Sequence, residues 1–394
     1  MKPKNKSNKN EFLLNTEAGS CAVLYTGLNN RVLDPISRYL PECLLPVANV
    51  PAIHFVISNL LKDGFKRIII YACRGAKILE DFIDLQYSQF SGYVEVMQGH
   101  CSKSIGDIMR DLDASEIIRN VDDFIFMPAD FLCSANLYQM LEDFKKCREA
   151  MPNCVMSIAM AQISNHEPTL NSDVVQFVLV RESDHKLIQF HQHIQNVPSK
   201  TAKDTVMHQN LTAPGLWFCS KHIPPLFQDN FDYTSGQDLI HGILITEEVI
   251  NYQIRINILS SDQLHFRMTC DVPRLFDSNR LLLQRKTGIT HSIPPLYFDQ
   301  IDSGSMKLVP GSDYIFVNTK SKISPSARLL GHCLIARDCF VGDNTILINT
   351  VLGPGCSIGA NCKLRSLICT NNVTIHDNVT ADLAFLSAGK GRNN

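Results

Sequence analysis

A six-residue repeat constrains the fold of this chain more than any other feature of its sequence. The repeat has aliphatic anchors six residues apart in two series: Ile335, Val341 and Leu347, then Leu352, Ile358 and Leu364. In the units at residues 352–357 and 358–363, glycine directly follows the anchor. This pattern is typical of a parallel β-helix, in which the anchors fill a triangular core and glycine turns a corner. With six residues a face and three faces a coil, we predict about three to four coils from residue 323 onward.

The chain has 14 cysteines, scattered along its length and without a C-x-x-C pair. With no export signal at the N-terminus, this usage indicates free thiols in a reducing compartment, and we expect a cytoplasmic protein. Cys339, Cys356 and Cys362 occupy the small inward positions of the repeat, so we interpret them as packing residues. The lack of a C-x-x-C pair argues against a structural zinc site, and we expect no metal.

The charges of the chain are nearly balanced. Its 394 residues include 37 Lys plus Arg and 39 Asp plus Glu, for a net charge of −2. Without a basic excess we expect no direct nucleic-acid partner and no membrane partner. Residues 1–19 are basic but lack the apolar run of a secretory signal, so we predict a disordered basic tail there.

Strand-like and helix-like segments alternate through residues 21–161. The predicted strands are 21–26, 65–73, 93–97, 124–127 and 155–161, and the predicted helices are one between Asn49 and Gly64, 76–87, 105–112 and one capped by Asn136. This alternation predicts a Rossmann-like, mostly parallel sheet covered on both faces. A hairpin over 174–194, a short strand at 216–219 and a helix over 235–250 follow, and we interpret them as an insertion packed on the sheet edge.

The segment after the first predicted strand carries a second kind of signal. It contains Gly27 and Arg31, followed by Leu-Pro-Glu-Cys-Leu-Leu-Pro-Val at residues 40–47. With the predicted sheet and β-helix, this segment resembles the sugar-nucleotide transferases. Those enzymes need a glycine-rich loop and cationic side chains to hold a triphosphate, and carboxylates to hold Mg²⁺. By this resemblance Gly27 and Arg31 belong to the nucleotide loop, and Asp130 and Asp271 correspond to the metal carboxylates.

Two departures predict that this nucleotide site is degenerate. Of the family's two or three loop glycines only Gly27 remains, and Glu42 stands where the family has a lysine. A unit-charge pair at about 4 Å and an effective dielectric constant near 20 is worth about 4 kcal/mol before screening. Replacing a cation by an anion changes the local charge by two units, so this interaction energy is lost twice. Even half of it, counted twice, lowers the rate by roughly three decades. We therefore expect no catalytic residue and no cofactor.

The resemblance also implies a domain plan. We predict an α/β Rossmann-like nucleotidyltransferase domain followed by a left-handed parallel β-helix. The predicted segments are the disordered basic tail at 1–19, the nucleotidyltransferase-like domain at 20–270, a linker and connector at 271–322, and the left-handed β-helix with a short tail at 323–394.

Two further runs narrow the resemblance. Residues 104–113 read Ser-Ile-Gly-Asp-Ile-Met-Arg-Asp-Leu-Asp, and residues 229–233 read Asp-Asn-Phe-Asp-Tyr ahead of a predicted helix. Together with Leu-Leu-Pro-Val-Ala-Asn at 44–49, they resemble the epsilon subunit of eukaryotic translation initiation factor 2B. The gamma subunit of that complex matches these runs less well. Gly106 and Asp107 stand where the active transferases have a base-binding loop, so the resemblance assigns them to the degenerate nucleotide site.

This family belongs to the guanine-nucleotide exchange factor for initiation factor two. The resemblance implies that Asn230 and Phe231 contact the G-protein substrate. It also implies a gamma-type subunit as first partner, then the other subunits and initiation factor two. An aromatic side chain beside an amide in an acidic stretch suits an interface anchor. Phe231 could instead fill the core at the end of a loop, and Asp111 and Asp113 are more simply explained as solvated charges at a helix end.

Three functions are compatible with these patterns. The first is a structural and substrate-docking subunit that promotes GDP release. Epsilon subunits perform exchange with a C-terminal helical-repeat domain, which we expect this chain to lack, so exchange by this chain alone is in doubt. The second is an active sugar-1-phosphate nucleotidyltransferase that makes a nucleotide sugar. The third is acyl transfer by the β-helix, with His332 or His376 as the base.

Overall fold

The computed structural model describes most of the chain between residues 20 and 387. The described residues are 20–28, 33, 34, 37, 40–100, 103–162, 174–191, 204–260, 265–284 and 306–387. The predicted tail at 1–19 and the loop residue Arg31 lie outside these residues. The described parts of residues 1–43 and 56–267 form one compact unit, and those of 44–55 and 268–394 form a second.

The predicted helices and strands up to residue 267 occur in the predicted order, with most ends within one to three residues of the predicted ones. The helix at 223–229 and the strands at 46–47, 50–51, 131–133, 205–212, 253–259 and 265–267 were not predicted. The helices are α1 (Ala52–Asp63), α2 (Ala76–Gln86), α3 (Ile105–Ala114), α4 (Leu137–Ala150), α5 (Ile223–Asp229), α6 (Gly236–Ile250) and α7 (Val272–Gln284). The strands are β1 (Cys21–Thr26), β2 (Pro46–Val47), β3 (Val50–Pro51), β4 (Arg67–Ala72), β5 (Val94–Gln98), β6 (Asp123–Pro128), β7 (Phe131–Cys133), β8 (Cys154–Gln162), β9 (Val174–Arg181), β10 (Leu187–His191), β11 (Thr205–Thr212), β12 (Trp217–Ser220), β13 (Gln253–Leu259) and β14 (His265–Arg267).

The first unit is a Rossmann-like α/β domain built on a mixed sheet. Its strand order is β10-β9-β11-β8-β12-β6-β1-β4-β5, with β13 also paired to β8. The strands β5, β4, β1 and β6 are parallel, as the alternation predicts. The prediction of a mostly parallel sheet is wrong for the other half, where β12, β11, β9 and β10 pair antiparallel. The hairpin of β9 and β10 explains part of this, since a tight turn can join only antiparallel strands. The interpretation of the segment after residue 174 as an insertion on the sheet edge is wrong for β12, which lies inside the sheet between β8 and β6.

The core of this unit surrounds β1, whose six residues are all buried between β4 and β6. On one face, Ile108 and Leu112 of α3 and Leu239 and Ile243 of α6 pack in one apolar cluster with Val23 of β1. This packing brings the two runs at 104–113 and 229–250 onto the same side of the sheet. Among the helices of the described residues, none is long and apolar enough to cross a bilayer.

The second unit is made of short strands that stack in register. They are β15 (Met306–Leu308), β16 (Ile315–Asn318), β17 (Lys322–Ile323), β18 (Arg328–Leu330), β19 (Cys333–Ile335), β20 (Phe340–Val341), β21 (Ile346–Leu352), β22 (Ser357–Ile358), β23 (Lys363–Cys369), β24 (Thr374–Ile375) and β25 (Thr380–Leu386). From β16 onward the pairing is parallel. The stack therefore begins at Ile315, earlier than residue 323.

The two anchor series of the sequence lie side by side in this stack. The pairs are Ile335 with Leu352, Val341 with Ile358, and Leu347 with Leu364. All six side chains are buried in one cluster. The partners are 17 residues apart, one fewer than three sixes, because Leu347 and Leu352 are separated by five positions instead of six.

Three series of residues with left-handed backbone recur at the same interval. They are Asp338, Gly355 and Asn372, then Asn344, Asn361 and Asn378, then Asn349, Ser366 and Leu383, with φ between 48° and 74°. Glycine, asparagine and aspartate reach this region most easily, which explains why they dominate these positions. Three such corners a coil agree with three faces a coil.

The run at 44–49 has a structural role in the second unit. It supplies the antiparallel hairpin of β2 and β3, whose turn residues Ala48 and Asn49 have φ of 49° and 64°. The Ala48 amide donates to Asn279 Oδ1 at 2.7 Å, and Asn49 Nδ2 donates to the Leu352 carbonyl at 3.0 Å. These bonds tie the hairpin to α7 and to β21.

Candidate functional site

The loop after β1 borders a cavity of about 200 Å³ in the first unit, lined in part by Gly27, Pro41, Glu42 and Gly75. Gly27 has φ +75°, and a Cβ there would lie 3.2 Å from the Arg74 amide nitrogen. Gly75 has φ +66°, and its Cβ would lie 2.6 Å from Pro41 Cγ. Both glycines are thus required by the backbone and its packing, so their presence alone does not indicate a phosphate ligand.

Glu42 is half-buried in this cavity. Burial and, after it, the Asp130 carboxylate raise the pKa of its carboxyl to about 7, against the opposing charges of Arg267 and Arg74. Part of the Glu42 carboxyls are therefore protonated at neutral pH. The average charge at this position therefore differs from that of the transferase lysine by less than the two units that a fully ionised Glu42 would give.

The two predicted metal carboxylates belong to different units. Asp130 is buried, and its Oδ1 accepts from Arg267 Nε at 3.0 Å. The antiparallel pairing of β7 with β14 sets Arg267 opposite Phe131 and so beside Asp130. Asp271, in the second unit, accepts from the Arg274 amide at 2.7 Å, where α7 begins. No group of three or more His, Cys, Asp or Glu suited to a metal occurs among the described residues.

Gly106 and Asp107 form the first turn of α3. The Asp107 amide donates to Ser104 Oγ at 3.1 Å, and Asp107 Oδ2 accepts from the Ser104 amide at 3.1 Å. This reciprocal pair is a capping box, which starts the helix. Burial would raise the pKa of Asp107, but hydrogen bonds from Lys103, Arg110 and Ser104 hold it below its usual value.

Gly106 packs directly against the loop at 230–235, which joins α5 to α6. Its amide donates to the Thr234 carbonyl at 3.0 Å. A Cβ on Gly106 would overlap the Tyr233 carbonyl oxygen. The run at 104–113 is therefore in contact with the loop that follows Asn230, and it supports that loop.

Arg110 continues this support one turn along α3. Its Nη1 donates to the carbonyls of Phe227 and Tyr233 at 3.1 and 3.3 Å. Its Nη2 pairs with Asp107 Oδ1 at 3.0 Å. The guanidinium lies 5.2 Å from the centroid of the Phe231 ring, in cation–π range. The Arg110 guanidinium thus pairs with the Asp107 carboxylate and also contacts the Phe231 ring.

The tip of the loop is a tight turn that leaves its aromatic ring exposed. Asn230 ends α5, its Oδ1 accepts from the Asp232 amide at 3.0 Å, and its carbonyl accepts from the Tyr233 amide at 3.2 Å. Phe231, at the tip, is 68% exposed. The alternative that Phe231 fills the core is therefore wrong, and contact of Asn230 and Phe231 with a partner stays a prediction.

Two glycines of α6 fix the base of this loop. A Cβ on Gly236 would overlap the Trp217 ring, and a Cβ on Gly242 would overlap the Tyr233 hydroxyl. The Tyr233 ring also meets Phe227 edge-on, with centroids 6.2 Å apart. Ser235 and Asp238 form a second capping box, which starts α6.

The surroundings of Phe231 are acidic. Asp229 and Asp232 are exposed on either side of the tip. Burial and the nearby charge of Asp229 raise the pKa of Asp113 on α3. The segment 229–250 contains five Asp or Glu and no Lys or Arg. An exposed ring in a negative field suits a partner surface that is apolar and basic.

Asp111 differs from the expectation of a solvated charge. Its carboxylate accepts from the Tyr71 hydroxyl and, at 3.1 Å, from the His100 amide. It therefore joins α3 to β4 and to the end of β5.

The two histidines considered for acyl transfer differ in setting. His332 stacks on Tyr314 with ring centroids 4.7 Å apart, and its Nε2 lies 3.0 Å from Gln284 Nε2. Burial lowers the pKa of His332. His376 is exposed, and its carbonyl accepts from the Cys362 thiol. Neither arrangement singles out a catalytic base.

Arg110 and Tyr233 build the site without standing at its tip, and neither was predicted to belong to it from the sequence. A signal for Arg110 was present, because Asp107 and Arg110 are three residues apart on a predicted helix. No local pattern pointed to Tyr233, since its partners Gly106 and Arg110 lie more than 120 residues away in sequence.

No family model matches this chain. The chain is similar to the epsilon subunit of translation initiation factor eIF2B. It is 25% identical to that subunit from Dictyostelium discoideum over 369 residues, which are 86% of this chain and 47% of the relative. It is also 25% identical to the Schizosaccharomyces pombe subunit over 251 residues, 60% of this chain and 36% of the relative. The chain thus spans less than half the length of these relatives.

A weaker similarity connects the chain to nucleotidyltransferases. A putative UTP–glucose-1-phosphate uridylyltransferase of Methanocaldococcus jannaschii is 33% identical over 61 residues, 16% of this chain and 21% of the relative. The corresponding enzyme of Pseudomonas aeruginosa is 34% identical over 67 residues, 17% of this chain and 24% of the relative. These short matches agree with the Rossmann-like fold of the first unit.

Proposed function

We propose that this chain is an epsilon-type structural and substrate-docking subunit of a guanine-nucleotide exchange complex that acts on translation initiation factor two. In this role it promotes GDP release in the cytoplasm, with a gamma-type subunit as first partner among the other subunits. The observation that carries the proposal is the exposed Phe231 ring, which lies on Arg110 where the two runs that resemble epsilon subunits meet.

Exchange requires stabilisation of the nucleotide-free G protein, and binding energy directed to that state accelerates GDP release. A rigid aromatic anchor loses little conformational freedom on binding, which favours its use as an interface hot spot. Asn230 would add directed hydrogen bonds beside the ring. The nucleotide site around Gly27 and Glu42 is then a degenerate remnant with a structural role.

The second unit completes this proposal as a scaffold. We propose that its stacked coils close as a left-handed parallel β-helix, because the buried anchors and the three corner series repeat at the same interval. Such a stack presents long flat faces, which suit contact with a related subunit.

Replacement of Phe231 tests the docking assignment. We expect Phe231→Ala to slow the stimulated GDP release about tenfold in the assembled complex, the usual loss for a hot-spot aromatic. Thermal stability and complex assembly should be unchanged, because the ring is exposed. Leu85→Ala is the matched control, since Leu85 is 75% exposed on α2, away from this loop. Loss of assembly in Phe231→Ala, or an unchanged rate of GDP release, contradicts the proposal.

An active nucleotidyltransferase is the second candidate, favoured by the short matches to uridylyltransferases and by the cavity at Gly27. The test is Mg²⁺-dependent release of pyrophosphate from a nucleoside triphosphate and a sugar 1-phosphate. Under the docking proposal, the wild-type chain releases no more pyrophosphate than Asp130→Ala. A wild-type rate well above that background would replace the docking proposal.

A further inference from the structure

Large apolar side chains are exposed in an uneven way along the described residues. The most exposed are Val249 at 86%, Ile245 at 81%, Leu85 at 75% and Phe231 at 68%. Three of these four lie within residues 231–249. Scattered exposed apolar residues need no explanation, but a concentration in one segment indicates an interaction surface.

Ile245 and Val249 lie on one face of α6. Residues at positions i, i+3 and i+7 of a helix share a face, which here joins Gly242, Ile245 and Val249. The opposite face carries Leu239 and Ile243, which are buried in the core. The exposed side of α6 also carries polar side chains, at residues 237, 241 and 248, and Ile245 and Val249 stand among them as exposed apolar residues.

This face is continuous with the Phe231 loop. The Tyr233 hydroxyl stands over Gly242, at the position a Cβ would fill. Tyr233 follows Phe231 by two residues, and Ile245 follows Gly242 by one helical turn. Tyr233 thus connects the Phe231 loop to the helix that carries Ile245 and Val249, and we call Phe231, Tyr233, Ile245 and Val249 together the α6 strip.

Exposed acidic side chains border the α6 strip at both ends. Asp229 and Asp232 are exposed at the Phe231 end, and Glu248 is exposed at the Val249 end. Glu247 is engaged by the Lys186 ammonium and faces the domain instead. An apolar surface with acidic side chains at its ends is complementary to an apolar patch bordered by basic side chains.

We propose that the α6 strip is a single docking surface and that the partner bound at Phe231 also covers Ile245 and Val249. The partner is a folded protein with a basic-bordered apolar patch. This inference rests on the proposed function, in which that protein is initiation factor two. Phe231 alone gives a point contact, whereas Ile245 and Val249 lie about two and a half and three and a half helical turns from the start of α6 and fix the direction of the partner.

The test compares binding of purified, GDP-loaded initiation factor two to the full chain and its variants at 0.1 M salt. We expect the double variant Ile245→Ala with Val249→Ala to bind about tenfold more weakly than wild type, as Phe231→Ala does. Leu85→Ala, the matched control, should bind within twofold of wild type. Both altered residues are almost fully exposed, so the melting temperature should not change.

The outcomes separate the two claims. Wild-type binding by the double variant together with weak binding by Phe231→Ala overturns the α6 strip and leaves the proposed function intact. Wild-type binding by both variants would overturn docking at the 230–235 loop and, with it, the proposed function. A wild-type dimer in sedimentation that the double variant converts to monomer assigns the strip to a second copy of this chain, which also overturns the inference.

Charge reversal gives an independent test of the partner's chemistry. Glu248→Lys should weaken binding several-fold at 0.1 M salt and much less at 0.5 M salt, because screening shortens the reach of surface charges. Glu149→Lys is the control, since Glu149 is exposed on α4, a different helix. Stronger binding by Glu248→Lys would mean an acidic partner and would contradict the proposal.

Discussion

At the scale of single residues, Tyr233 organises the docking loop more than either residue at its tip. Its hydroxyl covers Gly242, and its ring packs edge-on against Phe227. Its carbonyl accepts from Arg110 and occupies the space where Gly106 would carry a Cβ. A loop whose base is fixed from three sides holds an exposed ring in one place, which reduces the entropy lost on binding.

Gly106 is covered by Tyr233 and would not contact a partner itself. Gly106→Ala should nevertheless impair docking, because it moves Tyr233. The new methyl group must displace the Tyr233 backbone, and such overpacking costs about 1–3 kcal/mol of unfolding free energy. We expect a lower urea midpoint and slower stimulated GDP release. The control is Gly311→Ala, where φ is +80° and the space is open. It should cost about 1 kcal/mol through backbone strain and leave GDP release unchanged. Normal GDP release by Gly106→Ala would contradict the supporting role of α3.

Glu42 makes stability depend on pH in a predictable direction. Its pKa is about 7 in the folded chain against 4.5 for the ordinary carboxyl. The folded state therefore binds more protons between these values, so the free energy of unfolding falls as pH rises from about 4.5 to 7. Glu42→Gln should lose this slope and exceed wild type by up to about 2 kcal/mol at pH 8, after a discount for solvent screening. Urea unfolding at pH 5 and pH 8 measures it; equal slopes would contradict the assignment.

At the scale of elements, the stacked coils have a recurrent thiol bond. The thiols of Cys339, Cys356 and Cys362 each donate to the carbonyl 14 residues further on, in the next coil, at 3.2, 3.0 and 3.2 Å. Cys333 does the same more loosely, at 3.7 Å. The interpretation of Cys339, Cys356 and Cys362 as small inward residues is confirmed by their burial, and the structure adds a donor role for the sulfur.

These thiols should be unreactive while the coils are folded. Hydrogen bonding to Cys356 and burial raise the pKa of Cys339. For Cys356, hydrogen bonding to Cys339 lowers the pKa, but hydrogen bonding to Cys369 and burial leave it raised to about 11. Because only the thiolate attacks, we expect maleimide to label neither before unfolding in urea. Cys147, which is partly exposed, should be labelled in the folded chain and serves as the internal reference. Native labelling of Cys356 at the unfolded rate would disprove closed coils.

The elements also show where sequence patterns succeed and fail. The anchors from Ile335 to Leu364 and the N-cap Asn136 were predictable, because their signals lie within a few residues. The strands β7 and β14 were not, since each has three residues and is defined by its pairing with the other across 130 positions. The pKa of Glu42 depends in the same way on Asp130 and Arg267, which no local pattern brings to it.

At the scale of the whole molecule, the proposed role requires partners. We expect the tagged full chain, purified from its own cell, to recover the other exchange-factor subunits and initiation factor two in stoichiometric amounts by mass spectrometry. Phe231→Ala should retain the subunits and lose initiation factor two, because a docking residue acts on the substrate and not on assembly. A homo-oligomer without these partners would be incompatible with the docking function and would favour the nucleotidyltransferase candidate.

The turn at residues 230–232 is formed by hydrogen bonds to the side chain and carbonyl of Asn230. Tyr233, by contrast, packs against Gly106 of α3 and Gly242 of α6. Substitutions at the tip therefore cost folding little, and a new binding preference can arise there by single changes. A change at Tyr233, Gly106 or Gly242 disturbs its packed neighbours as well. The boundary between residues held in place by packing and residues whose main role is binding falls between residues 232 and 233.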